Sequence, residues 1–253
     1  MRALKILLLI LVVGVVLSAA GAAVLWILAS ATPDRYQPAE LSENERRQVG
    51  YDFISDVVQR LHNEAQYRKP FDLVLTEKQL NGYLASMDEI IAIAPGRELE
   101  GHPVRDALDK AGVDGLAVAL RGGKLTLMGR LSRHDKVVSI DVVPRLEGGM
   151  LRVDIEGVRI GSLPIPNAVH RALFDSARPS FDGGSSRERP AGESEFTSMT
   201  RVFRDTLVDN AVEPVFHVGD KDKPIRLERI DIDGGEVRFR FVPHEPASAD
   251  GEG

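Results

Sequence analysis

The sequence contains no cysteine and a single tryptophan, and aromatic residues occupy only 6% of its 253 positions. Without cysteine there is no disulfide scaffold, thiolate metal site, cysteine nucleophile or lipid-modified N-terminal cysteine. A surplus of positive charge is also missing, because 32 Lys and Arg stand against 38 Asp and Glu, a net charge of −6. Phosphate recognition needs basic surface, so no nucleic-acid partner is expected. The six histidines, at 62, 102, 134, 170, 217 and 244, include no pair at the i, i+3 or i, i+4 spacing of a helical zinc site. No GxSxG, Walker-type or GxGxxG loop appears. The chain therefore reads as a non-enzyme that needs no metal or cofactor.

Long apolar runs are absent too, with one exception. Ile6 to Ala31 is free of charge, and a helix of that length reaches roughly 39 Å, enough to cross a ~30 Å hydrocarbon layer. Arg2 and Lys5 precede it, so the positive-inside bias puts residues 1–5 in the cytoplasm and everything after the span outside. Trp26 and Tyr36 are expected at headgroup depth. A cleaved signal peptide is the competing reading, since Ala29-Ser30-Ala31 fits a cleavage site, but the apolar region is about twice the usual ~7–15 residues. Either way the domain is exported, and the anchor reading makes a single-pass protein of the cytoplasmic membrane.

Residues 32–41 read as an extended juxtamembrane tether and 42–243 as one domain. Ser42 and Glu45 have capping-box spacing, and Val49, Phe53, Val57 and Leu61 recur every fourth residue, predicting a helix to about Gln66. A short strand, Phe71 to Leu75, leads to a second capping box at Thr76 and Gln79 and a helix ending at Pro95-Gly96. A short helix is expected from Val104 to Lys110.

From Leu116 the apolar period becomes 2. Four strands separated by turns at Gly122-Gly123, Arg133 to Asp135 and Gly148-Gly149 predict an antiparallel meander. Thr126, Arg130, Ser139, Asp141, Arg152, Asp154 and Glu156 form its expected solvated face. Arg159 to Pro166 ends it. Beyond lie a helix at 167–176, a mobile loop at 178–195, a helix from Phe196 to about Val212, a hairpin around Gly234-Gly235 and a disordered tail at 244–253. The fold class is α+β: one long twisted antiparallel meander whose aliphatic face is covered by amphipathic helices, preceded by one transmembrane helix.

Polar constellations carry little. Ser132, His134 and Asp135 share one hairpin turn, too local for a triad. Asp231, Asp233 and Glu236 lack the spacing of a calcium loop, and Arg238 with Arg240 is expected to meet an acidic neighbouring strand. What remains is the aliphatic face: Leu125, Leu127, Val138, Ile140, Val142, Val153 and Ile155, with Phe203 and Leu207 from the covering helix. Such a wall serves equally as a dry core or as a bed for acyl chains.

The anchor, Leu75-Thr76 leading to Leu80-Asn81, the strand ending in Val143-Pro144, the Gly148 to Val158 strand and Ile160-Gly161-Ser162-Leu163-Pro164-Ile165-Pro166 together resemble the YpmS-like family of single-pass membrane-anchored bacterial proteins. More distantly the order is similar to YceB-type lipoproteins and tubular lipid-binding (TULIP-like) modules. That resemblance implies a curved sheet wrapped around a helix, with lipid held between them. The expected function is a membrane-anchored, extracytoplasmic, non-catalytic module binding lipid or another long apolar ligand in the cell envelope. The alternative is a structural adaptor that engages envelope proteins through a sheet edge or the 178–195 loop.

Overall fold

The computed structural model describes residues 23–93, 103–168, 211–217 and 224–244. Residues 23–30 are helical (α1). Among the described residues no helix is long and apolar enough to cross a membrane; residues 1–22, with most of the expected span and with Arg2 and Lys5, lie outside them. The 178–195 loop, nearly all of the two helices expected on either side of it, and the tail beyond His244 also lie outside.

The amphipathic helix starts where its capping box places it. Glu45 N–H donates to the Ser42 hydroxyl, while the Ser42 hydroxyl and, secondly, Ser42 N–H donate to the Glu45 carboxylate and hold that carboxyl below its ordinary pKa. It is not one uniform helix: α2 (Glu43–Phe53) passes into a π-helical turn (Ile54–Val58) and then α3 (Gln59–Gln66). The apolar spacing gives the reason. A residue advances ~100° around an α-helix, so a strict four-residue repeat drifts ~40° per step, or ~160° from Val49 to Ala65. The extra residue of a π turn removes most of that drift. Val57, Leu61 and Ala65 accordingly stay buried in the same core that Val49 and Phe53 flank.

β1 (Phe71–Thr76) leads to α4 (Glu77–Ala85), capped by Thr76 and Gln79, and α5 (Met87–Ile93). α6 (Pro103–Ala111) is capped from a distance, because the buried Asp88 carboxylate accepts from Val104 N–H (2.8 Å) and Arg105 N–H (3.2 Å).

The meander forms as expected: β2 (Val113–Arg121), β3 (Lys124–Leu131), β4 (Lys136–Glu147) and β5 (Met150–Ile160), each antiparallel to the next. The Gly-Gly turns at 122–123 and 148–149 have positive φ at both residues, the geometry of tight primed hairpins. A two-residue β6 (Leu163–Pro164) closes the edge beside β5. β4 runs on past Pro144 to Glu147, where it pairs with β5 alone.

One expectation is corrected. The C-terminal hairpin, β8 (Pro224–Asp233) and β9 (Glu236–Pro243), does not extend the meander but builds a second antiparallel sheet with β1 and β7 (Val215–His217), in the order β1-β9-β8-β7. A period-2 pattern fixes faces, not neighbours, and β1 was free to pair with β9. Val212, the expected end of a helix, is not helical: it exchanges two backbone hydrogen bonds with Leu151, and Pro214 disfavours helix at the residue before it; the rest of that expected helix lies outside the described residues. The main core lies between the two sheets and α2 to α5. Phe53 against Tyr83 and Phe71 against Phe241, at ring separations of 4.8 and 5.3 Å, mark its aromatic part.

Candidate functional site

The aliphatic residues singled out in the meander share one face. Leu125 opposes Val142, Leu127 opposes Ile140 and Val138 opposes Ile160. Opposite Asp141 and Val142 of β4 a bulge in β5 shifts the pairing by one residue, so Val142 meets Ile155 and Pro144 meets Val153. That single extra residue keeps Val153 and Ile155 on the face of Val158 and Ile160. Phe203 and Leu207 lie outside the described residues.

Burial along this face is uneven. Val118 and Leu120 of β2 belong to the main core and Leu125 packs against it. Val142 and Val158 are buried. Val138, Ile140, Val153 and Ile155 are only half-buried, and Leu127, in mid-strand, is 36% exposed. For a leucine flanked by aliphatic neighbours on a sheet, that exposure leaves apolar surface facing water.

The lower end of the face meets α1. Ser162 N–H donates to Leu28 C=O (2.8 Å), and the carbonyls of Leu28, Ala29 and Ala31 crowd Gly161, where an added Cβ would stand 2.7 Å from each. Gly161 has φ +58°, so glycine is required there twice over. Lys136 at the start of β4 bonds the Ser30 hydroxyl and lies 4.6 Å from the centroid of the Trp26 ring. Val24, Leu25, Trp26 and Ile27 are all exposed, Trp26 at 69%. An apolar helix end thus abuts the end of the aliphatic face where Val138 and Ile160 stand.

The opposite face departs from expectation. Part of residues 32–41, read as an extended juxtamembrane tether, lies on it: Tyr36 packs against Ala117, Ala119, Met128 and Val137, and both Tyr36 and Pro38 approach Gly115. Tyr36 is therefore a plug on the sheet. Burial pushes its phenol pKa up, and its hydroxyl, like that of Ser139, is buried without a hydrogen-bond partner. Thr126 and Ser139, placed on the wet face by alternation, are buried. Thr126 donates to Asp141 (2.8 Å), which also pairs with Arg159 (2.9 Å). Arg130, paired with Asp114, and the distal part of the face, with Arg145 between Asp154 and Glu156, are solvated as expected.

Asn81 is buried, and its amide is used on backbone. Val118 N–H donates to Asn81 Oδ1 (2.6 Å) and Asn81 Nδ2 donates to Val118 C=O (3.0 Å), while Leu120 N–H donates to Glu77 Oε2 (2.8 Å). Two side chains of α4 thereby stand in for a strand along the edge of β2.

The polar candidates do not converge. Ser132 donates to Asp114, which is also paired with Arg130, and not to His134. Arg238 and Arg240 meet Asp72 of β1 at 3.5 and 3.3 Å. Among the described residues no three His, Asp or Glu side chains are grouped to hold a metal ion. Comparison with protein-family models, characterised proteins and solved structures finds no match.

Proposed function

We propose that this chain is a membrane-tethered, non-catalytic module that takes the acyl chain of a lipid onto the aliphatic face of the β2 to β6 sheet. The observation that carries the reading is the mid-strand strip of Leu127, Ile140, Val138, Val153 and Ile155, apolar throughout and incompletely buried. Acyl chains gain ~0.8 kcal/mol per methylene removed from water, so eight methylenes along the strip gain roughly 6 kcal/mol before the costs of association. The docking of α1, which carries exposed apolar residues, at Gly161 and Lys136 on one end of this sheet, and the resemblance to lipid-holding modules, support the same reading. Lipid would then enter from the anchored end.

The test uses the full chain, purified in mild detergent and examined by native mass spectrometry for retained phospholipid. A Leu127→Asp, Ile140→Asp double variant places two carboxylates on the strip and should lower lipid occupancy at least tenfold. Equal occupancy in the variant, or none in the parent protein, refutes the reading.

A further inference from the structure

Sheet edges differ in how the chain treats them. β6 and β7 are two and three residues long, and the β2 edge is occupied by Asn81 and Glu77. β1, with six residues, presents a longer outer side without a partner strand, as do the parts of β5 and β8 that run past β6 and β7 among the described residues. The bond from Glu77 N–H to Gly235 C=O continues the β1 to β9 ladder through the odd-numbered residues, so Asp72, Val74 and Thr76 turn their N–H and C=O groups away from β9. Two of these groups have takers: Thr76 N–H donates to Gln79 (2.9 Å), and Arg60 reaches Asp72 C=O at 3.5 Å. Val74 lies between them, on the floor of a cleft of about 300 Å³ walled by Ser55, Asp56 and Arg60 of the π turn and α3.

We propose that this cleft binds an extended peptide segment of a partner protein, which adds beside β1 as a short further strand and exchanges a pair of hydrogen bonds with Val74. The chemistry selects the occupant. An outward N–H and C=O from one strand residue, set at ladder spacing, are complemented by the backbone of another strand and left unpaired by an apolar ligand. The wall is polar and exposed at Ser55, Asp56 and Arg60, which suits peptide and disfavours an acyl chain. π turns recur where a helix wall is shaped for binding, and here the widened turn faces the edge. The α4 side chains that seal β2 leave β1 open, an asymmetry of the kind that separates a protected edge from a recognition edge. This site is distinct from the aliphatic face of the other sheet and stands or falls without it.

The probe is a random dodecapeptide display library selected against the full chain in detergent, with the enriched peptides measured by fluorescence polarisation. Enriched peptides should lose about tenfold in affinity on Val74→Pro, which removes the outward N–H at a position where an edge strand accepts proline. Ser55→Trp, which fills the cleft from the helix side, should do the same, and Val74→Thr should stay within about twofold. The Val74 amide should exchange with solvent about tenfold more slowly once peptide is added. If Val74→Pro does not fold, Ser55→Trp and the exchange measurement decide the matter. No enriched peptide, peptides that bind both variants as well as the parent, or a Val74 amide already protected in the free protein by the chain's own residues would each overturn the proposal.

Discussion

Asn81→Ala removes the two hydrogen bonds that tie α4 to the edge of β2, and its effect can be worked out beforehand. The substitution leaves Val118 N–H and Val118 C=O without partners at a residue only 4% exposed. An orphaned buried polar group costs about 1–3 kcal/mol, so the pair amounts to roughly 2–6 kcal/mol, a large share of the 5–15 kcal/mol that stabilises a typical domain. For a chain of this size, 1 kcal/mol corresponds to ~2–4 °C in Tm, which puts the expected drop at roughly 4–24 °C. Asn81→Asp separates the two bonds. Its carboxylate still accepts from Val118 N–H but repels Val118 C=O, whereas the protonated acid donates to that carbonyl. Burial raises the folded-state pKa of such an acid above its unfolded value, so the protonated form is favoured by folding. The variant's deficit relative to the parent should therefore shrink as pH falls through that raised pKa and grow as pH rises. The assays are thermal unfolding followed by circular dichroism at several pH values and hydrogen exchange at Val118 and Leu120. An Asn81→Ala protein that melts within 2 °C of the parent, with Val118 still protected, refutes the argument that a side chain substitutes for a strand here.

Two glycines should respond with opposite signs. A Cβ at Gly82 would rest 3.5 Å from Val49, an ordinary contact, so Gly82→Ala should gain ~1 kcal/mol of helix propensity and raise Tm by about 2–4 °C in a thermal melt; a lower Tm would mean that α2 and α4 pack more tightly than these distances indicate. At Gly161 a methyl group meets three carbonyl oxygens and a positive φ, so Gly161→Ala should cost at least ~1–2 kcal/mol and displace α1. Trp26 is the only tryptophan, so its emission reports that displacement directly, and an unchanged spectrum with an unchanged Tm would contradict the proposed docking.

Legibility from sequence followed the range of the forces involved. Capping boxes at Ser42 and Thr76 and the Gly-Gly turns are local, and each is found where spacing placed it. The shared face of Leu125, Leu127, Val138 and Ile140 followed from alternation because those strands are sequential neighbours. What escaped was non-local. Nothing near Phe71 states that its partner is Phe241, so the second sheet was missed. Tyr36 was assigned by its type to a membrane interface, whereas its surroundings are a strip of small residues, Ala117 and Ala119, that leave room for a ring. The π turn was available in principle, since a four-residue apolar repeat that persists from Val49 to Ala65 does not fit an unbroken α-helix. Asn81 could be read as a backbone-bonding residue, but its partner lies 37 positions away.

If α1 is the end of a membrane anchor, as proposed, its docking onto Gly161 fixes how far the module can work from the bilayer. A loose ten-residue leash would let the domain sample a wide shell above the bilayer. Here that stretch is folded back along the sheet under Tyr36, and the helix end is clamped between Lys136 and Ser162. The height of the far turn at Gly148-Gly149 is then set by strand length alone: the twelve residues of β4, at ~3.3 Å each, place it roughly 40 Å from the clamp. For a tethered module this is a fixed boom and not a rope, and anything it meets must come to that height.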